Sequence, residues 1–372
     1  MKTNNFSTPM PRLEVAGSTL MRPDWTTGSY RKRNMLWLDK NENSDPILSE
    51  VTSRILATVS REVLYSYPEN VNLYKKLADH LHLDPSNLLL TAGSDGAIRS
   101  AFEAYISPGD VVIHTQPTFA MYSVYSRMYG ADAQPVEYLP SSDGPKLSEE
   151  RIIDAVKKKH PKMVCLPNPD SPTGTVLTKK ELRAIVAAAG EVGALILVDE
   201  AYYPFHKETI IQWVKEYPHL VVARSTGKAW GLAGLRIGYA AANSEVTKIL
   251  HKVRPMYEVN TIAVTMMEKM LDYHDEMLAS VRRLEEGKQL FIKEMRSLGF
   301  RVLDCHGNFV HVSFGNYEEE IHLELSSLVY YRRSFNDPCL QGFSRFSAAT
   351  PEIFKPVIDS IKMIVKQKEK GE

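Results

Sequence analysis

Strands alternating with helices over the first two-thirds of this 372-residue chain predict an α/β fold. It should have a mostly parallel central sheet flanked by helices, joined to a smaller α+β unit. Three observations carry this expectation. Apolar runs without alternation, such as residues 194–198 (ALILV), suit strands covered on both faces. Segments between them place apolar residues at helical spacing. From about Val253 the pattern changes to a long charged helical stretch followed by separate strand pieces.

The first 45 residues are polar and irregular, and are expected to form an arm that can join the small unit. Residues 46–252 should form the large domain and 253–372 the small C-terminal one. Within the large domain, 72–81 (NLYKKLADHL) puts Leu73, Leu77 and Leu81 on one helix face. A short strand at 88–90 leads into Gly93-Ser94-Asp95-Gly96, and Ala97, Ile98, Ala101, Phe102 and Tyr105 then mark a helix. The turn Pro108-Gly109-Asp110 precedes a strand at 111–114. A strand at 162–166 stops at Pro167-Asn168-Pro169. Thr178 with Glu181 three residues on is a capping-box signature for a helix over 178–190. Buried strands follow at 194–198 and 220–223. In the last third the pattern predicts a helix over 272–298, strand pieces at 301–303, 309–313 and 329–331, and a helix from 351 to about 366.

Composition narrows the function classes. Lys+Arg and Asp+Glu are both 45, which argues against a nucleic-acid binder with its basic excess. No apolar run reaches the ~18–20 residues that span a bilayer. The opening MKTNNFSTPMPRLEV lacks the apolar core of a secretory signal, so a cytoplasmic location is expected. Cys165, Cys305 and Cys339 are odd in number and widely spaced, which suits neither a disulfide framework nor a metal site. An enzyme acting on a small molecule is the expectation that remains.

In a parallel sheet, ligands bind beyond the carboxyl ends of the strands, and several of those ends carry polar chemistry. Asp199 follows ALILV directly; there it either meets a cation or caps the next helix. Lys228 lies in the glycine-rich segment RSTGKAWGLAGLRIGY (224–239), with Ser225 and Thr226 before it and Arg236 after it. The nucleotide-binding pattern G-x-x-x-x-G-K-[ST] is absent, because Ala229 follows the lysine. A lysine among apolar or cationic neighbours can act as an amine nucleophile. Ser94 and Asp95 at a strand-to-helix junction form a candidate anion site. Asn168, in a loop stiffened by Pro167, Pro169 and Pro172, presents an amide.

The order and spacing of these segments resemble the fold-type-I aminotransferases that use pyridoxal phosphate, closest to the histidinol-phosphate aminotransferase branch. The resemblance rests on Tyr65-Ser66-Tyr67-Pro68, GSDGAI at 93–98, PTFAMYSVY at 117–125, NPDSPTGT at 168–175, VDEAYY at 198–203 and GKAWGLAGLRIGY at 227–239. KVRPMYEVN at 252–260 and Gly307-Asn308-Phe309 extend it, so that it covers most of the chain from about Leu38 to Thr350. It implies that Lys228 forms a Schiff base with pyridoxal 5'-phosphate and moves the substrate proton. Asp199 would pair with the pyridinium nitrogen, Tyr202 and Asn168 with the ring oxygen, and Phe119 with the ring face. The cofactor phosphate would rest on Ser94 and Asp95, with Ser225 and Arg236. Tyr67 would reach the cofactor of a second subunit, which implies a homodimer with shared active sites. Arg345 would hold a substrate carboxylate, and Arg332 or Arg333 a second anionic group. Three positions depart from the family pattern: Gly227 where serine is common before the lysine, Asp170-Ser171 in place of an Asn/Gln pair, and the run 340–350. The implied reaction is transamination of a small amino acid/keto acid pair, phosphorylated ones included. The alternative is decarboxylation of a phosphorylated amino acid such as O-phosphoserine or O-phosphothreonine.

Overall fold

The computed structural model describes residues 9–16, 20, 30–303 and 305–369. Of the amino-terminal arm, residues 1–8, 17–19 and 21–29 therefore lie outside the described residues. The strands, in chain order, are β1 (Leu36–Trp37), β2 (Leu88–Thr91), β3 (Val111–Gln116), β4 (Asp132–Glu137), β5 (Met163–Pro167) and β6 (Leu195–Asp199). They continue with β7 (Leu220–Ser225), β8 (Gly238–Ala242), β9 (Arg301–Leu303), β10 (Phe309–Ser313), β11 (Val329–Tyr330) and β12 (Ser344–Ser347).

The large sheet has the order β2-β8-β7-β6-β5-β3-β4. The neighbours from β7 to β4 pair parallel, whereas β8 runs antiparallel to both β7 and β2. The carboxyl ends of β2, β3, β5, β6 and β7 therefore share one edge with the start of β8. Alternate side chains enter opposite layers, as strand geometry requires. Leu89, Val112, Leu197 and Val221 pack with Ala97, Ala101 and Phe102 of the helix Ser94–Tyr105. Leu90, Ile113, Ile196 and Val222 face the other way, into a core with Ile185 and Val186 of the helix Lys179–Glu191. That helix carries the expected capping box: Thr178 Oγ1 accepts from Glu181 N (3.3 Å) and Glu181 Oε2 accepts from Thr178 N (2.6 Å).

A smaller antiparallel sheet, β12-β10-β9, lies on the long helix His274–Ser297 and the last helix, Pro351–Glu369. Phe291 and Phe354 stack across the two helices at 4.6 Å. Residues before the large sheet complete this core. β1 pairs parallel with β11, and Leu38 is buried among Val310, Phe346 and Ile361. The strand piece near 329–331 thus pairs with the arm instead of the small sheet. The chain between β1 and the helix Pro46–Ala57 crosses from the small core to the large one, beside the polar edge of the large sheet.

Candidate active site

Two adjoining cavities open at that edge. The inner one, about 180 Å³, is lined by Ser94, Asp95, Pro167, Pro169, Asp199, Ala201, Ser225 and Arg236, among others. The outer one, about 540 Å³, includes Lys40, Asn41, Thr118, Arg127, Arg332, Asp337 and Arg345 in its wall. Phe119, Ser171, Tyr202 and Lys228 line both and mark the passage between them.

Asp199 ends β6 and is buried, so its carboxyl group is pushed up to about 7 by desolvation. Its Oδ1 accepts from Ala201 N at 3.0 Å, while Oδ2 has only a long contact, 3.4 Å, from the Tyr122 hydroxyl. The acid lines the inner cavity with one short hydrogen bond to its carboxylate. The next residue points elsewhere. Glu200 accepts from the Arg224 guanidinium (2.6 Å), Thr209 Oγ1 and Ile210 N, forming a closed buried pair on the far side of the strand. Strand alternation thus divides the Asp-Glu pair into one acid for the cavity and one for the core.

Lys228 follows β7 and is half-buried; desolvation lowers the pKa of its amine below the ordinary lysine value. Nζ donates to the backbone carbonyl of Lys40 at 2.9 Å. Tyr202 packs edge-on to Phe309, with its ring centre 5.8 Å from Lys228 Nζ.

At the other end of the inner cavity, Ser94 and Asp95 begin a helix, so amide groups of its first turn are oriented toward the cavity end. Arg236 Nη2 donates to Ala92 O at 3.1 Å. It passes so close to Gly93 that a β-carbon there would lie 2.7 Å from Nη2. With φ at +79°, position 93 favours glycine, and a side chain there would push the guanidinium aside. The result is a guanidinium held over a helix start, beside the hydroxyl group of Ser225: an anion cradle.

In the outer cavity, Arg345 on β12 lies opposite His311 of β10. Its Nη2 donates to Asp39 O at 3.0 Å, and its buried Nε has no hydrogen-bond partner within the protein. Arg332 joins Arg345 through a two-bond backbone bridge (3.0 and 2.8 Å) and stacks its guanidinium over Phe335 at 4.1 Å. This separates two candidates the sequence left level. Arg332 lines the cavity, whereas Arg333 is turned toward the carbonyl of His322.

The structure brings Ser94, Asp95, Phe119, Asp199, Tyr202, Ser225, Lys228 and Arg236 around one cavity, with Arg332 and Arg345 around its neighbour. It leaves one residue expected there, Asn168, outside. Asn168 was expected to present its amide to a ligand. Its Nδ2 donates to Leu177 O (3.1 Å) and its Oδ1 accepts from Leu177 N (2.7 Å), so the amide braces the loop from within. Ser171, three residues on, is the member of that loop that lines both cavities. Tyr67 lies away from the cavities of its own chain, largely exposed and stacked on Tyr257 at 4.1 Å. Sequence reasoning also missed Lys40, Asn41 and Arg127. Only the polar run KNEN (40–43) ahead of a helix hinted at the first two.

Comparison with known proteins agrees with this geometry. The model of the family "Aminotransferase class I and II" matches residues 33–361. A histidinol-phosphate aminotransferase of Thermoanaerobacter sp. is 33% identical over 336 residues, 88% of this chain and 92% of the relative. That of Caldanaerobacter subterraneus subsp. tengcongensis is 30% identical over 332 residues, with the same two coverages of 88% and 92%. Among solved structures, histidinol-phosphate aminotransferase from Sinorhizobium meliloti in complex with pyridoxal-5'-phosphate superposes with a TM-score of 0.79 at 23% identity, covering 90% of this chain and 92% of that one. Aspartate aminotransferase from Thermus thermophilus with maleate gives 0.72 at 22% identity, covering 89% and 92%. The match over most of its length, together with an amine, a buried acid and an anion cradle at one sheet edge, makes the chain a member of the class I and II aminotransferase family.

Proposed function

We propose that the protein is a pyridoxal-phosphate-dependent aminotransferase for a small amino acid/keto acid pair whose members carry a second anionic group, a phosphate included. The observation that carries this reading is the inner cavity itself, with Lys228 and Asp199 on its wall and the anion cradle at its end.

The residues fit the cofactor by charge and shape. The phosphate suits the first amide groups of the helix at Ser94 and Asp95, the Ser225 hydroxyl group and the Arg236 guanidinium, which the glycine at 93 admits. A protonated ring nitrogen suits the buried carboxylate of Asp199. Phe119 offers an apolar face to the ring, and Tyr202 a hydroxyl group for its oxygen. When bound there, the cofactor supplies an aldehyde that captures amines and a ring that stabilises negative charge at the substrate α-carbon.

The protein's own groups do the rest. Lys228 Nζ, tending toward the neutral form because it is desolvated, is the amine that holds the cofactor. With the cofactor bound, the same amine would be the base placed to take and return the proton of the substrate α-carbon. Asp199 would hold a positive charge on the ring nitrogen of the bound cofactor, because losing that charge would strand a buried carboxylate. Arg345, with an unpartnered Nε, receives the substrate carboxylate. Arg332, Arg127 and Lys40 make the remaining wall of the outer cavity mainly positive, with Asp337 as the opposing charge; this favours a second anionic group on the substrate. We assign the end of the arm, around β1, and most of residues 253–372 to a small domain beside a large domain over 46–252, with the substrate between them. The start of the arm lies instead on the large domain, where Arg12 meets Met128 O and Tyr129, and the helix Thr261–Met270 packs into the large core. We further propose a homodimer in which Tyr67 serves the neighbouring site.

A half-transamination screen tests the reading. Protein loaded with pyridoxal phosphate is mixed with single amino acids, including dicarboxylic and phosphorylated ones, and conversion to the pyridoxamine form is followed by absorbance. Acidic or phosphorylated donors should react fastest, and Lys228→Ala should abolish the visible band of the loaded enzyme. An unchanged band in that variant would remove the assignment. Carbon dioxide release without a keto acid would point to the decarboxylase alternative instead.

A further inference from the structure

Residues 39–41, between β1 and the helix Pro46–Ala57, touch three residues of the site in succession. Asp39 O accepts from Arg345 Nη2 (3.0 Å), Lys40 O accepts from Lys228 Nζ (2.9 Å), and Asn41 Nδ2 donates to the Tyr202 hydroxyl oxygen (2.9 Å). Asn41 is held on several sides. Asn41 is 2% exposed and adopts φ +56°, a left-handed conformation that asparagine tolerates better than most residues. Its backbone N–H donates to Ser347 Oγ (2.8 Å), and its carbonyl accepts from Asn308 Nδ2 (2.9 Å).

That arrangement decides which way the side-chain amide faces. Ser347 Oγ already accepts from the Asn41 N–H, so its own hydrogen is available to Asn41 Oδ1, 3.3 Å away. With Oδ1 accepting from Ser347 Oγ, the NH₂ end donates to the Tyr202 hydroxyl oxygen, the orientation that also uses the Ser347 hydrogen. A hydroxyl oxygen that accepts from Asn41 turns its single hydrogen elsewhere. The remaining direction is the wall that Tyr202 forms for both cavities, beside Lys228.

We propose that Asn41 is a positioning residue that fixes the Tyr202 hydroxyl group as a donor into the inner cavity, toward the oxygen of the bound ring. The inference rests on the pyridoxal-phosphate reading and adds to it a residue outside the motifs that carry the family resemblance. The cofactor would meet a hydrogen already aimed at it, with no rotor to order on binding. A donor aimed at that oxygen favours its negative form. It thereby lowers the pH at which the lysine-bound cofactor loses its proton.

The experiment is a spectroscopic pH titration of the loaded enzyme, read as the midpoint of the change in the visible band. Asn41→Gly keeps the left-handed backbone available and removes the amide. Asn41→Asp keeps the shape but presents an acceptor, which would draw the tyrosine hydrogen out of the cavity. Both should raise the midpoint, by about one pH unit for a tenfold change in proton affinity, and Asn41→Asp by more than Asn41→Gly. Lys40, Glu42, Asp95, Arg127, Asp199, Arg236, Arg332, Asp337 and Arg345, the other charged groups around Lys228 and Tyr202, are unaltered in both variants. Asn41→Asp adds a carboxylate whose charge also raises the midpoint, so Asn41→Gly isolates the loss of the amide. In a Tyr202→Phe background, itself raised, Asn41→Gly should add nothing, because its effect runs through the missing hydroxyl group. The titration of Tyr202→Phe does not depend on Asn41→Asp folding. Midpoints that match the parent within error, or a further rise of full size in the Tyr202→Phe background, would overturn the role of Asn41. A parent protein with no visible band after incubation with pyridoxal phosphate would overturn the functional reading, and this inference with it.

Discussion

Burial moves Lys228 and Asp199 in opposite directions, each toward its neutral form: the amine downward and the acid up to about 7. A neutral amine can attack an aldehyde, whereas a neutral acid cannot hold a cation, so only the acid needs a partner to recover its charge. This makes Asp199 a stability cost in the protein without cofactor. Its folded-state pKa lies above the ordinary 3.8, so the folded state holds the proton more tightly. The acid is harmless below pH 4, and stability is lost as the pH rises from about 4 to about 7. Asp199→Asn should therefore stabilise the cofactor-free protein at pH 8, by on the order of 2 kcal/mol and with a higher melting temperature, and change its stability little at pH 4. The same substitution should weaken cofactor binding. Scanning calorimetry at the two pH values, beside a cofactor titration, checks both signs. Arg345→Lys keeps the charge but loses the planar fork. It should raise KM for a carboxylate donor about tenfold with a smaller change in kcat, measured by steady-state kinetics.

The elements differ in how plainly they can be read in the chain. β5, β6 and β7 are apolar runs buried end to end apart from Ser225, and their pattern alone identifies them. β4 (DAQPVE) is an edge strand with one buried residue and a proline, so it has no apolar signature. β8 (GYAAA) is buried throughout, but apart from Tyr239 it is built of small residues with weak strand preference; at Gly238 a β-carbon would lie 2.6 Å from the carbonyl oxygen of Arg224. β12 (SRFS) is polar for a functional reason: it carries Arg345 into the outer cavity and supplies Ser347 to Asn41. The site follows the same logic. Lys228, Asp199 and Arg236 stand at strand ends or in glycine-rich sequence, where function departs visibly from packing. Asn168 and Ser171 share one proline-rich loop, and only the fold shows that Ser171 lines the cavities while Asn168 is bonded to the backbone of Leu177. The capping box of the helix Lys179–Glu191 was legible because it is local, and its worth is local too. Thr178→Ala should lower stability by about 1 kcal/mol in urea unfolding and leave the cofactor spectrum unchanged.

The whole molecule has a surface that its own fold does not cover. Leu64, Tyr65, Tyr67, Val71, Met256 and Tyr257 are all exposed, and Tyr67 stacks on Tyr257 at 4.1 Å while Thr261 Oγ1 ties the segment down through Ser66 O (2.7 Å). Large apolar side chains gathered on one face favour association with another copy. If that association delivers Tyr67 to the neighbour's anion cradle, each site is built from two chains, and damage in one chain can be compensated by the other. Tyr67→Ala and Lys228→Ala proteins should each be weak or inactive alone. In a mixed dimer, the site whose Lys228 is intact receives the intact Tyr67 of the other chain. Unfolding and refolding the two variants together should therefore restore activity in about one quarter of the sites, as expected for random pairing of two chain types. Sedimentation of the mixture as dimers with no recovered turnover would separate the two halves of the idea: the chains would pair, and Tyr67 would serve only the surface on which it stacks.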